Sequence, residues 1–154
     1  MRHVYYGPSY SDDEILFELE CAGCKYRRLT EEDLITRTVE AIAQGKIVGW
    51  FQGRMEFGPR APGNRSILAG PRRADMKTIL NSRIKYREPF RPFCPSILAE
   101  RVKDYFETNY PSPFMVMAYK IKPEQRERIP AVTNGDGTGR RQTVESDVNE
   151  LYWN

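Results

Sequence analysis

The sequence predicts an α/β (α+β) fold in which a twisted, mostly mixed β-sheet carries flanking helices. Helical and strand-like patterns alternate along the chain, as is typical of sheets covered by helices. The chain has 154 residues, of which 40% are hydrophobic, and this is enough to bury one core. We therefore expect a single domain over residues 1–154.

Local signals predict the helices. Ser11 and Glu14 form a capping-box pattern, and the helix that they begin should end near Gly23. Thr30 should begin a second helix that ends at Gly45. A third helix is expected over residues 74–84 and a short fourth helix over residues 100–106.

The strands follow from short apolar runs. We expect them at residues 3–7, 46–51 and 96–98, a short strand or a turn at residues 67–69, and a stronger strand at residues 114–119. Residues 131–133 and 142–144 should pair as a hairpin across the glycine-rich turn at residues 134–141.

Composition narrows the class of protein. The net charge is only +3, so the chain is not a polycation. No apolar run approaches ~18 residues and the N-terminus has no signal-peptide core, so we expect no membrane span. Three cysteines without framework spacing indicate a reducing cytoplasm. A zinc site at Cys21 and Cys24 would need further ligands, and His3 is the only histidine, so we predict no metal site.

Cations concentrate between residues 53 and 91, where ten Lys and Arg residues accompany only three carboxylates. In residues 53–66, which we call the first cationic segment, Arg54, Arg60 and Arg65 lie among Gly and Pro residues. Glycine lets backbone N–H groups approach a phosphate closely, so the segment is a candidate anion cradle. The alternative is a solvated basic loop whose arginines pair with Glu56 and other carboxylates.

The second cationic segment, residues 85–93, gives a stronger signal. If the segment is extended, Lys85, Arg87 and Arg91 share one face. Tyr86, Phe90 and Phe93 can then take the opposite, buried side. Three cations with one local carboxylate, Glu88, predict an anionic ligand of polyphosphate or carboxyphosphate character. A solvated sheet edge guarded by charges is the alternative.

A third group of cations follows the glycine-rich turn. Arg140 and Arg141 could reach over a site formed elsewhere, or belong to a surface turn. Asp136 is expected to stabilise that turn, with a contact to nucleotide-bound Mg²⁺ as the alternative.

These segments together resemble the nodulation-type carbamoyltransferases, the group that includes the antibiotic O-carbamoyltransferases. Two long signatures carry the resemblance: Gly-Arg-Met-Glu-Phe-Gly-Pro-Arg-Ala-Pro-Gly-Asn-Arg-Ser-Ile-Leu at residues 53–68, and Ile-Lys-Tyr-Arg-Glu-Pro-Phe-Arg-Pro-Phe-Cys-Pro-Ser at residues 84–96. Residues 3–8, 111–115, 128–133 and 136–144 match further stretches in order.

The resemblance implies a YrdC-like C-terminal domain that binds carbamoyl phosphate and ATP, with Mg²⁺, and forms carbamoyl-adenylate. An N-terminal Kae1-like domain would hold the metal and transfer the carbamoyl group to an acceptor hydroxyl. By motif, Lys85 and Arg91 take catalytic roles. The implied substrate- and nucleotide-binding residues are Arg54, Arg60, Asn64, Arg65, Arg87 and Arg140.

The sequence also departs from the family pattern. Pro62 stands where the family has Leu, Asn134 and Gly135 where it has His-Val, and Gly139 where it has Ala. The chain lacks a later Asn-Thr-Ser-Phe-Asn segment, so we expect an incomplete domain that binds weakly and transfers nothing alone. Two other readings stay open: a basic-faced RNA- or nucleotide-binding module and an inert partner-binding domain. The buried aromatics expected in residues 85–93 make nucleic acid the less favoured partner.

Overall fold

The computed structural model describes residues 1–58 and 60–154, and its N-terminal part contains the two expected helices. In α1, Asp12–Cys21, the Glu14 backbone N–H donates to the Ser11 hydroxyl at 3.3 Å, and the Glu14 carboxylate accepts from the Ser11 N–H at 2.7 Å. Thr30 caps α2, Glu31–Ala43, and Gly45 follows it with a φ of 77°. Both capping predictions are confirmed. No described helix is both long and apolar enough to cross a membrane.

The strands are short and pair in twos. β1, Val48–Phe51, and β2, Arg65–Leu68, are antiparallel, and β3, Ser96–Leu98, pairs in parallel with β6, Gln142–Val144. β4, Tyr119–Lys120, and β5, Thr138–Gly139, are antiparallel. The α/β class is confirmed, but over the described residues the expected single sheet is divided into three two-stranded sheets. The likeness to a YrdC fold stays a prediction.

The remaining helices are brief. α3, Met76–Ile79, continues as a π-helix over Leu80–Ile84, where one long helix was expected. A 3₁₀ turn, Ala99–Arg101, leads into α4, Val102–Tyr105. α5 spans Pro123–Arg126, a second 3₁₀ turn spans Pro130–Val132, and α6, Glu150–Trp153, closes the chain.

Three strand predictions are wrong. Residues 3–7 contain no strand, and residues 114–118 are irregular, with Met115 at a φ of 55°. Residues 131–133 do not pair with β6, because Ala131 and Val132 turn into the core. Long-range bonds decide these outcomes: β6 lies against β3, and Ser112 exchanges backbone and side-chain hydrogen bonds with Thr143.

The core consists of two clusters that meet at Phe93. The larger contains Val102, Phe106, Ile121, Ile129 and Val132. The smaller joins Met76 and Leu80, from α3 and the π-helix, to Ala131. Phe93 packs against both clusters and so fixes the end of the second cationic segment in the body of the protein.

Candidate anion-binding site

The two cationic segments border one cavity of about 720 Å³. β2, the π-helix, the second cationic segment and α6 contribute to its wall. Six cations line it, and no aspartate or glutamate of the described residues does so. These cations are Arg60, Arg65, Lys77, Lys85, Arg87 and Arg140. The combination attracts anions, because among the described residues only one of these six cations, Arg65, forms a salt bridge with a carboxylate.

A buried carboxylate holds the first cationic segment. The side chain of Glu56 is 0% exposed, and its oxygens accept from the Asn64 backbone N–H at 2.7 Å and from Arg65 Nε at 3.1 Å. Another nitrogen of Arg65 donates to the Gly58 carbonyl at 2.8 Å. Arg65 thus stabilises the segment's own structure, although it also lines the cavity. This is the pairing with Glu56 that the alternative of a basic loop predicts.

The C-terminal residues brace the same segment from behind. The Asn149 amide donates to Tyr5 Oη at 3.0 Å and to Asn64 Oδ1 at 2.8 Å. The backbone of Gly63, with a φ of 119°, lies against the Tyr152 ring, which leaves no room for a Cβ. Burial raises the pKa of Tyr152, whose hydroxyl lies 2.7 Å from the Ser96 hydroxyl. Gly63 and Asn64 of the first cationic segment are therefore packed against the C-terminal part of the chain.

Asn81 organises the second cationic segment. It lies on the π-helix, is 1% exposed, and accepts from Arg87 Nε at 2.7 Å through its side-chain oxygen. Its NH₂ group donates to the Pro89 and Arg91 carbonyls at 3.3 and 3.2 Å, and its backbone carbonyl accepts from the Arg87 N–H at 3.0 Å. One buried amide thus fixes the path of residues 87–91.

Arg87 is repelled by the positive charges of neighbouring arginines. Its guanidinium lies 4.6 Å from the centre of the Phe93 ring. Burial lowers the pKa of Arg87, and the positive charges of Arg91 and Arg140 lower it further. Arg87 stays protonated at neutral pH, since guanidinium pKa values lie above ~12. A bound anion would relieve this repulsion.

Arg140 brings a cation from the glycine-rich turn. Its Nε is buried and has no hydrogen-bond partner among the described residues. Its charge also reaches Cys94: burial raises the pKa of Cys94 to about 12, while Arg140 and Arg60 act in the opposite direction. The cations of the first segment and the turn therefore converge near one thiol. Because Arg140 also lines the cavity, its guanidinium group can contact an anion bound there.

Arg141, the residue after Arg140, is buried in the core and does not line the cavity. It is 0% exposed. Its Cζ lies 4.7 Å from the centre of the Phe106 ring and 3.9 Å from the centre of the Tyr119 ring. Its guanidinium group donates to the Thr108 and Tyr110 carbonyls. Burial lowers the pKa of Arg141. Arg141 is thus anchored in the core, whereas the preceding residue, Arg140, lines the cavity.

The structure brings together Arg60, Arg65, Lys85, Arg87 and Arg140, five of the eight site residues that the sequence predicts. The other three do not line the cavity. Arg54 Nε donates to the Gly7 carbonyl at 3.1 Å, and the Asn64 side chain bonds to the Arg54 carbonyl. Arg91 pairs with Glu88 at 3.0 Å on the surface. The functional roles of all eight residues stay predictions.

One expectation about the second cationic segment is wrong. Tyr86 and Phe90 are not buried: they are 83% and 76% exposed, and only Phe93 packs in the core. The segment is not extended, because Tyr86 has a φ of 46° and the chain curves so that the Pro89 and Arg91 carbonyls both accept from the Asn81 side chain. By contrast, Asp136 stabilises its own turn, as expected, by accepting from the Thr138 N–H and hydroxyl at 3.0 and 2.7 Å.

Sequence reasoning missed Glu56 and Asn81 as organisers of the site. For Asn81 a signal existed, because asparagine is unfavourable inside a helix and favours bonds to nearby backbone. Glu56 was considered only as one possible partner of the segment's arginines. Glu56 contacts Asn64 and Arg65, and the sequence does not reveal that the chain returns to bring these residues against it.

Comparisons with known proteins identify the family of this chain. The family model described as Carbamoyltransferase C-terminus matches residues 39–154, which include both cationic segments and Arg140. The chain is 42% identical to Uncharacterized protein sll1178 of Synechocystis sp., over 99% of this chain and 28% of that protein. It is 43% identical to Nodulation protein NolNO of Sinorhizobium fredii, over 99% of this chain and 23% of the relative.

Similarity to Nodulation protein U of Rhizobium fredii is 37% identity over 92% of this chain and 22% of that protein. The chain thus spans about a quarter of the length of these curated relatives. Most of its own length, with every cavity-lining cation, lies inside the matched family model. The chain belongs to the carbamoyltransferase C-terminus family.

Proposed function

We propose that residues 1–154 form a carbamoyltransferase C-terminal domain that binds carbamoyl phosphate and ATP and forms carbamoyl-adenylate. One observation carries the proposal: six cations and no aspartate or glutamate of the described residues line a single cavity. Arg140 supports it, because this residue brings a guanidinium group from the distant glycine-rich turn to the same cavity.

The chemistry of the lining residues fits both substrates. Carbamoyl phosphate and ATP carry several negative charges, and guanidinium forks bind phosphate in a bidentate manner. Arg60, Arg87 and Arg140 would hold the phosphates, and Lys85 would act as a compact charge beside them. Such an arrangement stabilises charge on a transferring phosphoryl group without any general base. In this proposal Mg²⁺ arrives bound to ATP.

Mass balance defines the products. Carbamoyl-adenylate joins a carbamate oxygen to the α-phosphorus of ATP, so pyrophosphate leaves as that P–O bond forms. The carbamate itself comes from carbamoyl phosphate and one water, with release of inorganic phosphate. Each adenylate therefore accounts for one pyrophosphate and one phosphate. Arg140 and Arg87 would stabilise the negative charge that these leaving groups carry.

Transfer to an acceptor hydroxyl belongs to a larger protein in this proposal. The relatives are several times longer than this chain, and an N-terminal Kae1-like domain is the proposed partner. Release of the adenylate into bulk water would destroy it, so we propose that the two domains share a passage. The isolated chain is then expected to bind substrates weakly and to carbamoylate nothing. The free cysteines fit a cytoplasmic location, which we also propose.

A second candidate function is binding of single-stranded RNA. The exposed rings of Tyr86 and Phe90 beside cations favour it, since bases stack on exposed aromatics. Against it, the six cations surround one cavity, which suits a compact anion better than an extended strand.

Product analysis tests the leading proposal. The chain is incubated with MgATP, carbamoyl phosphate or both, and pyrophosphate and phosphate are measured. We expect pyrophosphate only when both substrates are present, with one phosphate per pyrophosphate. Pyrophosphate formed without carbamoyl phosphate would refute carbamoyl-adenylate formation. Tight, steeply salt-dependent binding of a short RNA, without binding of either small substrate, would establish the second candidate instead.

A further inference from the structure

Tyr86 is anomalous in two independent ways. It is 83% exposed, although it is a large aromatic residue in a segment that packs Phe93 into the core. Its φ of 46° also lies in the left-handed region, which is unfavourable for a residue with a Cβ. Neither feature contributes to folding: the ring buries little surface, and a glycine would adopt this backbone more easily.

The neighbouring residues hold Tyr86 in this conformation. On one side, the Lys85 N–H donates to the Leu80 carbonyl at 2.9 Å. On the other, the Arg87 N–H and side chain both donate to Asn81, at 3.0 and 2.7 Å. Since Asn81 is buried, these bonds form a rigid base from which the Tyr86 ring projects. Strain held by surrounding structure is a recurrent property of ligand-binding positions.

The position of the ring relative to the cations is informative. Lys85 and Arg87, the residues on either side of Tyr86, both line the cavity. No aromatic residue of the described ranges stacks on Tyr86, whereas His3, for example, stacks on Tyr5 with centroids 5.6 Å apart. Tyr86 itself does not line the cavity, so its ring lies outside the wall to which its two neighbours contribute.

We propose that Tyr86 stacks against the base of a nucleotide whose phosphates enter the cation-lined cavity. This inference rests on the proposed function, to which it adds a residue that recognises the nucleotide. A flat ring on a fixed backbone suits a planar base, because stacking requires an accessible aromatic face. Carbamoyl phosphate has no ring, so Tyr86 distinguishes the nucleotide from the smaller substrate and from inorganic phosphates.

Replacement by glycine tests the idea, because it separates folding from binding. Tyr86→Gly removes the ring and relieves the strained φ, so the free energy of unfolding should stay equal or rise. Binding of MgATP and of magnesium triphosphate, which lacks a base, is measured by calorimetry. We expect the variant to bind ATP about tenfold more weakly, as for loss of one stacked base, and triphosphate as tightly as the wild type.

Two further variants complete the design. Tyr86→Phe keeps the ring and should retain the wild-type ratio of ATP to triphosphate affinity. Tyr110→Ala removes another exposed tyrosine, 67% exposed, whose neighbours in the sequence do not line the cavity, and should also retain that ratio.

Several results would overturn the inference. Equal weakening of ATP and triphosphate in Tyr86→Gly would show a general disturbance of the cavity. Unchanged ATP binding, or a marked loss of stability, would show that the ring serves another purpose. Loss of short-RNA binding with unchanged ATP affinity would assign the ring to a nucleic acid. If the wild type binds neither ATP nor triphosphate, the proposed function fails first, and the inference with it.

Discussion

The buried Glu56–Arg65 pair allows a quantitative prediction. In Glu56→Ala, the buried Asn64 N–H loses its 2.7 Å acceptor, which costs about 1–3 kcal/mol. Arg65 is partly exposed and can hydrate, so its loss is discounted to about 1 kcal/mol. The sum, about 3 kcal/mol, corresponds to a fall in Tm of about 6–12 °C for a chain of this size.

Urea unfolding followed by tryptophan fluorescence measures this loss. Glu88→Ala is the matched control, because Glu88 also pairs with an arginine, at 3.0 Å, but both side chains are more than half exposed. That variant should lose at most about 0.5 kcal/mol. If the two variants lose the same free energy of unfolding, burial does not make Glu56 the organiser of the first cationic segment.

Two other predictions concern residues that line or brace the cavity. Burial raises the pKa of Cys94 to about 12 from an ordinary 9.0, so its alkylation at pH 8 should be at least about tenfold slower than that of exposed Cys24. Because the pKa of the thiol is higher in the folded state than in the unfolded state, its contribution to stability should fall as pH rises from 9 towards 12. Equal alkylation rates of Cys94 and Cys24 would contradict the burial of Cys94. Gly63→Ala, with its new Cβ 2.8 Å from the Tyr152 ring, should lose about 3 kcal/mol of unfolding free energy, and Gly23→Ala, whose Cβ meets open space, about 1 kcal/mol. Similar losses in the two variants would show that the ring yields.

Local chemistry was the most predictable part of the fold. Ser11 and Thr30 cap the helices that their sequence patterns predict, because a cap depends only on residues within one helical turn. The pairing of β3 with β6 was not predictable, since the two strands lie far apart in the sequence. Residues 131–133, the nearer candidate for pairing with β6, instead place Ala131 and Val132 in the core.

In the candidate site, too, the residue types were predictable from the sequence and the path of the chain was not. Composition and motif identified Arg60, Lys85, Arg87 and Arg140, and the structure gathers these cations around one cavity. The alternation argument failed for Tyr86 and the other exposed aromatic residue of its segment because it assumed an extended chain. The actual path depends on a single buried amide that bonds to three carbonyl or guanidinium groups, and no periodicity in the sequence records such bonds.

Calorimetric titration of carbamoyl phosphate into the wild type and Arg140→Ala tests the central claim most directly. Arg140 lines the cavity, so its loss should weaken binding by about tenfold or more, as for a charged hydrogen bond. Arg101→Ala, an exposed arginine outside the cavity lining, is the control and should bind as the wild type does. Binding that is equally strong in Arg140→Ala would contradict the assignment of this cavity to an anionic substrate.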